Sequence, residues 1–358
     1  MSERTETGRP LLICDDQPLV DELLRLAAAA GVSVELAAAP GDARASWRTA
    51  PLVLVGGDVV ADAVRLGLPP RRGVVVVSHT ADTALFQGGM SLQAEQVSVL
   101  PEGEAWLIGR LADVLEEPHG ESVLVCVVGG RGGAGASTTA AALALTAMRM
   151  GMRSFLVDGD PLGGGIDLVL GGEDTDGLRW PDLVQTRGRV SGSALRAALP
   201  RIDELHVLSW DRGDRLDVPP EAMRAVLAAG SRCSDVVVAD LPRRIDDAAA
   251  EALTGSTTAL LVVPAEVRAV ASAARVARAV RAHAADVRLL VRGPAPTGLT
   301  AETIASSLDL PLAGDVAADH GLPVALDRGE FALGRGRGGL GRFCKEFLAR
   351  LVDERRAA

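Results

Sequence analysis

A glycine-rich stretch between an apolar run and an alanine-rich run carries the residue types best suited to chemistry. It follows residues 122–128, which have the composition of a buried strand, and precedes residues 139–150, which can form a helix. Glycines let backbone N–H groups converge on phosphate oxygens, and a helix N-terminus adds positive potential. The sequence therefore predicts a nucleotide-binding loop, with a tight strand-to-helix turn as the alternative. The loop residues are Gly130, Arg131, Gly132, Gly133, Ala134, Gly135, Ala136, Ser137 and Thr138.

The loop departs at one place from the phosphate-binding pattern G-x-x-x-x-G-K-[ST]. Gly130, Gly135 and Ser137 match the pattern, and Ala136 stands where it has lysine. A lysine at position 136 would contribute a charged hydrogen bond worth about 1.5–3 kcal/mol. Without it, we expect nucleotide binding to be weaker by about 10- to 100-fold. The transition state gathers more charge than the ground state, so hydrolysis should suffer more than binding.

The order of motifs resembles the MinD/ParA superfamily, whose loop reads K-G-G-x-G-K-[ST]-[ST]. In that family two subunits enclose the nucleotides between them, and the first lysine reaches across to the partner subunit. The resemblance places Arg131 at the position of that lysine. Lys345 is the one lysine of the chain, so a general use of arginine for lysine explains Arg131 but not Ala136. Arginine retains the cation and the reach for a contact with the partner subunit.

Two later strands ending in aspartate extend the resemblance. Residues 153–171 are similar to the family's switch I segment, and residues 235–242 to its Walker B strand. The resemblance implies that Asp160 orients the attacking water. It also implies a magnesium site for bound ATP or ADP, made by Ser137, Asp240 and Asp158. Arg292 stands where many members read the base with asparagine, so the resemblance does not carry adenine specificity over.

Residues 11–117 alternate short apolar runs with helix-like stretches and resemble the receiver domains of two-component signalling. Asp15 and Asp16 end the first strand, and Ser78 lies near the end of the fourth. Three positions depart from that pattern: Gly56 and Gly57 replace the phospho-accepting aspartate, Asp58 comes about two residues late, and Leu100 replaces a lysine before Pro101. We interpret this part as a pseudo-receiver for docking or dimerisation, with a phosphorylated switch as the alternative.

The length and the motif order predict two α/β domains. We expect a flexible tail over residues 1–10, a receiver-like, flavodoxin-like domain over 11–117, a linker over 118–122, and a P-loop domain over 123–358. The second domain should be a doubly wound, mostly parallel sheet, because apolar strands alternate with helical segments throughout it.

Composition excludes several classes of function. The net charge of −10 argues against a general nucleic-acid coat. No apolar run reaches the roughly 20 residues that span a bilayer, and the first residues lack the apolar core of a signal peptide, so we expect a cytoplasmic protein. The scattered cysteines Cys14, Cys126, Cys233 and Cys344 are expected to be buried reduced thiols.

A receiver-like domain joined to a MinD-like domain with an imperfect phosphate loop resembles the CpaE/TadZ group, and most closely its actinobacterial septum site-determining members. That resemblance implies a homodimer that marks a cell pole or division site and works with cell-division or Tad/Flp secretion proteins. The alternatives are an active ATP-driven dimerisation switch at the membrane and a ParA-like DNA-partitioning protein. The acidic charge weighs against the last.

The C-terminal segment has an apolar stripe at helical spacing, with basic residues nearby. We favour a last helix packed on the sheet. The alternative is an amphipathic helix that makes peripheral contact with the membrane, as in MinD. The preceding run 334–339 reads as a solvated basic loop.

Overall fold

The structure is a computed structural model that describes residues 9–115, 122–184, 190–293, 298–317 and 339–357, together with positions 324 and 331. It divides into two compact units, Met1–Pro118 and His119–Ala358. Each unit has its own parallel sheet and its own hydrophobic core. Residues 1–8 of the expected tail, 118–121 of the expected linker and 334–338 of the expected basic loop lie outside the described residues.

The first unit is a parallel sheet covered on both faces by helices. Within the described residues its strand order is β2-β1-β3-β4-β5. The strands are β1 (Leu11–Ile13), β2 (Glu35–Ala37), β3 (Val53–Gly56), β4 (Val74–Ser78) and β5 (Gln96–Val99). The helices are α1 (Gln17–Ala29), α2 (Arg44–Trp47), α3 (Val60–Leu66), α4 (Thr83–Ser91) and α5 (Glu104–Ala112). This order is the flavodoxin-like arrangement expected for a receiver-like domain.

The apolar runs of the first unit form strands because valine and leucine can be buried on both faces of a parallel sheet. The side chains of β1, β3 and β4 alternate between two cores, one beneath α1 and α5 and the other beneath α2, α3 and α4. Helix α4 begins where the Asp82 carboxylate accepts a hydrogen bond from the Leu85 N–H at 2.7 Å. A cap of this kind satisfies an amide that the helix itself leaves unpaired.

The second unit is a larger sheet with the order β13-β12-β11-β6-β10-β7-β9-β8 over the described residues. The strands are β6 (Val123–Gly129), β7 (Ser154–Asp158), β8 (Arg201–Ile202), β9 (Leu205–Leu208), β10 (Val236–Leu241), β11 (Thr258–Pro264), β12 (Val287–Arg292) and β13 (Leu312–Val316). The helices are α6 (Ala136–Arg149), α7 (Ile166–Val169), α8 (Trp180–Leu183), α9 (Gly192–Ala198), α10 (Pro220–Cys233), α11 (Asp247–Thr254), α12 (Val267–Arg281), α13 (Ala301–Leu308) and α14 (Gly339–Ala357).

The second sheet confirms the expected doubly wound, mostly parallel fold. Strand β6 lies between β10 and β11 and runs parallel to both, whereas β8 pairs antiparallel with β9. The strand order reverses direction around β6, and in open α/β sheets ligands bind at the carboxyl ends of the strands at such a point. The loop after β6 and the residues that end β7 and β10 therefore meet at one edge.

Helix α6 is alanine-rich because it is buried along most of its length. Residues 139–147 are all buried, and the helix packs on the sheet on one side and on α14 on the other. Small side chains let three layers approach closely. The same packing accounts for the C-terminal apolar stripe. Its buried members are Leu340, Phe343, Cys344, Phe347, Leu348 and Leu351. The favoured interpretation, a last helix packed on the sheet, is confirmed, and this stripe is not an exposed membrane-binding face.

All four cysteines are buried and free, as expected. Along the ranges that the structure describes, no helix is both long and apolar enough to cross a membrane.

Candidate nucleotide-binding site

The predicted loop joins the carboxyl end of β6 to the N-terminus of α6. Helix α6 begins at Ala136, and its N-cap, Gly135, has a φ of 88°. Gly133 has a φ of 71°. Both angles lie in the left-handed region that glycine adopts without steric cost. The loop after the first strand of the second unit therefore has the backbone conformation that a phosphate-binding loop needs.

The loop forms one wall of an open cleft of about 650 Å³. The end of β10 and the residues after it also line the cleft, as do Asp160 and Leu162 from the segment after β7. The cleft therefore brings together the loop, Asp160 and Asp240, as the sequence predicts. Its lining residues are Gly129, Arg131–Thr138, Asp160, Leu162 and Asp240–Arg244.

Ser137 and Asp240 form the acidic end of this cleft. Both residues line the cleft, and burial raises the pKa of Asp240 to about 8, with the nearby Asp158 carboxylate contributing and the Ser137 hydroxyl opposing the shift. A carboxyl group with so high a pKa holds its proton in neutral solution unless a cation replaces that proton. A hydroxyl and a carboxylate are oxygen ligands of the kind that Mg²⁺ takes, and Mg²⁺ keeps waters and phosphate oxygens for its other positions. The residues fit a magnesium ion that arrives with a nucleotide.

Asp158 lies beneath the cleft and does not line it. One of its carboxylate oxygens accepts hydrogen bonds from the Ile166 N–H at 2.8 Å and the Ser209 hydroxyl at 3.1 Å. The other accepts the Asp160 N–H at 3.2 Å. Burial raises the pKa of Asp158 to about 6. These contacts organise the segment after β7, so direct contact of Asp158 with magnesium stays a prediction that the geometry does not favour.

A buried polar cluster continues below Asp158, and sequence reasoning missed it. Asp167 accepts hydrogen bonds from the Ser209 hydroxyl at 3.1 Å and from Arg212 Nη2 at 3.2 Å. Trp180 Nε1 donates to the carbonyl of Asp158 at 2.6 Å. The only sequence signal is an aspartate directly after an isoleucine in 163–167, which does not identify its partners. The cluster fixes the strand end from which Asp160 projects.

Arg131, the residue at the family's first lysine position, is held within its own chain. Its Nη2 donates to Glu266 Oε1 at 2.9 Å, and its Nη1 donates to the carbonyl of Gly132 at 3.0 Å. The side chain is 34% exposed. If Arg131 contacted a second copy of the chain, that contact would compete with its ion pair to Glu266. The contact of Arg131 with a partner subunit therefore stays a prediction.

Further arginines approach the loop, and the sequence did not predict their positions. The guanidinium of Arg292, from the end of β12, occupies the space in which a Cβ on Gly135 would stand. Arg243 and Arg244 follow β10 and line the cleft. The Nη1 atom of Arg243 lies 3.8 Å from the position of a Cβ on Gly132. Arg292, at the position where many members of the resembled family read the base, therefore lies against the glycine-rich loop.

The receiver-like unit has an analogous edge at the ends of β1 and β3. The Asp58 Oδ2 atom accepts hydrogen bonds from the backbone N–H of Asp15 at 2.8 Å and of Asp16 at 3.0 Å. Gly56, which ends β3, leaves room for this arrangement because the Asp58 Oδ1 atom and the Cys14 Sγ atom occupy the place of its Cβ. The late aspartate thus holds the β1–α1 turn.

Comparison with known proteins agrees with both units. A family model described as "Rv3660c-like, CheY-like N-terminal domain" matches residues 13–122. The uncharacterized protein Rv3660c of Mycobacterium tuberculosis is 42% identical over 326 residues, which cover 89% of this chain and 91% of that protein. A putative septum site-determining protein MinD of Chlorella vulgaris is 26% identical over 215 residues, 58% of this chain and 76% of that protein. A ParA family ATPase from Chlorobium tepidum has a TM-score of 0.58 at 16% identity, covering 64% of this chain and 99% of that one.

A CheY-like unit followed by a doubly wound unit with a phosphate loop defines a CpaE-like protein of the MinD/ParA type. Within that class, the chain belongs to the Rv3660c-like family, because the similarity to Rv3660c extends through both units.

Proposed function

We propose that the chain is a MinD/ParA-type positioning protein whose second unit binds ATP or ADP with Mg²⁺ in the cleft and forms a homodimer when it does so. The observation that supports this most strongly is that Ser137 and Asp240 line one cleft together with a glycine-rich loop at the start of α6. A hydroxyl, a metal-side carboxylate and converging amides are the minimum set for magnesium nucleotide binding.

Hydrolysis in this cleft is weak. Ala136 has no charge to place on the terminal phosphates, and charge grows there as the transition state forms. The nucleotide then acts mainly through binding: the bound and free forms differ in dimerisation, and this difference controls partner recruitment.

The cellular role is positional. The relatives named septum site-determining proteins support action at the division site, and the CpaE/TadZ resemblance supports recruitment of Tad/Flp secretion machinery. We propose a cytoplasmic protein that works at a pole or septum on the cytoplasmic face of the membrane. Because the apolar stripe of α14 is buried, this location depends on partner proteins rather than on that helix.

The test is a titration of the full chain with Mg-ATP and Mg-ADP, read as binding, oligomeric mass and phosphate release. The natural chain should bind weakly, gain dimer mass with Mg-ATP and release little phosphate. Ala136→Lys should bind about 10- to 100-fold tighter, because a lysine returns the charged hydrogen bond. It should also gain turnover.

Two controls make that result specific. Asp240→Ala should abolish magnesium-dependent binding in both backgrounds, whereas Asp247→Ala, an exposed change in the first turn of α11, should leave it unaltered. Absence of nucleotide binding by the natural chain would contradict the proposed function.

A further inference from the structure

The phosphate loop lacks its lysine, but arginines stand around the cleft. Arg131, Arg243 and Arg244 line it, and Arg292 lies against Gly135. An arginine presents several donors in a planar fork that suits phosphate oxygens. Which of them is available to a ligand depends on what each one already contacts.

Three of these arginines are poorly placed for that role. Arg131 is held by Glu266 and by the carbonyl of Gly132. Arg292 fills the space beside Gly135 and is engaged in an interaction of its own. Arg244 lines the cleft, but its side chain is not among the nearest neighbours of any loop glycine in the described residues.

Arg243 differs from the other three. It is exposed, its Nη1 atom lies against the loop at Gly132, and within the described ranges it forms no hydrogen bond or ion pair. Arg243 follows Asp240 by three residues. The same stretch of chain therefore carries the carboxylate proposed to bind magnesium and the guanidinium of Arg243. Strand β10 is hydrogen bonded to β6, which leads into the loop, so the two walls are held together by the sheet.

We propose that Arg243 supplies, from the chain after β10, the cation that the phosphate loop lost at position 136, and that it binds the phosphates of a nucleoside di- or triphosphate. This inference rests on the proposed nucleotide binding and names the residue that sustains it. The guanidinium contacts the phosphates from the chain after β10, whereas a lysine at 136 would contact them from the start of α6. Arg243 and a lysine at position 136 would both neutralise the charge of the same phosphates, so the presence of one should make the other partly redundant.

The experiment is a double-mutant cycle on the full chain, with Mg-ATP and Mg-ADP affinities measured for Arg243→Gln, Ala136→Lys and the combined variant. Arg243→Gln should weaken binding by about 10- to 100-fold in the natural background, because it removes a charge-assisted contact. In the Ala136→Lys background the same change should cost less than about 3-fold, because the lysine already neutralises the phosphates. Arg243→Lys should retain part of the affinity.

Arg275→Gln is the control, since it removes an exposed arginine of α12 that does not line the cleft, and it should change affinity by less than about 3-fold. An equal loss from Arg243→Gln in both backgrounds would overturn the inference, because a merely structural arginine gives that result. Unchanged binding in Arg243→Gln would overturn it too, while leaving nucleotide binding itself intact. No binding by the natural chain would instead remove the proposed function on which the inference rests.

Discussion

In the first unit, Gly56 stands where receivers carry their aspartate, and Asp58 folds its carboxylate back into the space that a side chain at 56 would use. In the second unit, Ala136 stands where a lysine is expected, and the space in front of it remains an open cleft of about 650 Å³. In the first unit a cleft of about 600 Å³ also lies beside the altered site, but the carboxylate of Asp58 is already hydrogen bonded to the backbone of Asp15 and Asp16. The second unit keeps a glycine-rich loop, Ser137 and Asp240 along the cleft, and Arg243, which forms no hydrogen bond or ion pair among the residues that the structure describes.

The difference indicates which unit responds to a ligand. A carboxylate that already accepts two backbone N–H groups has a structural role, and using it for chemistry would first cost those bonds. A cleft lined by polar groups that are not already committed to the backbone can form new hydrogen bonds when a ligand enters. We therefore expect the first unit to serve as a fixed docking module and the second to change state with nucleotide.

The largest effect should come from Gly135→Ala, because the new Cβ would displace the Arg292 guanidinium from the loop. The left-handed φ alone costs about 1–2 kcal/mol. With the displaced arginine we expect the free energy of unfolding of the second unit to fall by about 2–4 kcal/mol. Nucleotide binding should be lost. Urea unfolding followed by peptide-resolved hydrogen exchange measures the stability change.

Gly151→Ala is the matched control for this change. Gly151 has a φ of 83°, and a Cβ there would meet nothing within 4 Å. Gly151→Ala should lower the free energy of unfolding only by the backbone cost of about 1–2 kcal/mol, and it should leave nucleotide binding intact. Equal losses at the two glycines would mean that Arg292 does not rest on the loop.

The next effect concerns Asp240, whose pKa is raised to about 8 by burial. Below pH 4 the carboxyl is protonated in both the folded and unfolded states and has no effect on their balance. As the pH rises from about 4 to 8, the unfolded state loses its proton first, so the group progressively destabilises the fold. Asp240→Asn has no proton to lose in this pH range, so it removes this destabilisation.

Without magnesium, Asp240→Asn should therefore raise the free energy of unfolding of the second unit by a few kcal/mol at pH 8. The gain should shrink as the pH falls towards 4. Hydrogen exchange at a series of pH values checks this slope. A gain that is constant with pH would contradict the assignment, and Asp174→Asn, in a loop, should show no comparable slope.

Much of this arrangement could be predicted from the sequence, because it depends on short-range patterns. The strand before Gly130 and the helix from Ala136 follow from apolar runs interrupted by glycine. Asp240 lies beside Ser137 because parallel strands deliver their carboxyl ends to one edge. These features need only strand order and register.

Other features depend on long side chains and on burial, which the sequence does not encode locally. Arg243 and Arg292 reach the loop from the ends of β10 and β12, and an arginine has too many conformers for its end point to be inferred. The hydrogen bond of Asp158 to Ser209 joins residues 51 positions apart, which no local pattern reveals, and the predicted contact of Asp158 with magnesium stays a prediction. The antiparallel β8 was missed because two residues carry no periodic signal.

In the first unit, Asp58→Ala should lower the free energy of unfolding by about 1–2 kcal/mol, because two amides of the β1–α1 turn lose their charged acceptor. Nucleotide affinity should not change. Asp62→Ala removes only an exposed ion pair with Arg65 and should cost less than about 0.5 kcal/mol. Equal effects of the two substitutions, measured by hydrogen exchange in 9–16, would mean that Asp58 has no special structural role.

The smallest effect should come from a phosphate donor acting on the first unit. The full chain treated with acetyl phosphate and Mg²⁺ should show no added phosphate by intact mass, and no change in hydrogen exchange around Asp58. The physical reason is that Asp58 is already bonded to the amides of Asp15 and Asp16, and that Leu100, which is buried, replaces the lysine that would neutralise a phosphoryl group. A mass gain that disappears in Asp58→Asn would reverse the comparison, because the first unit would then be a working switch rather than a fixed docking module.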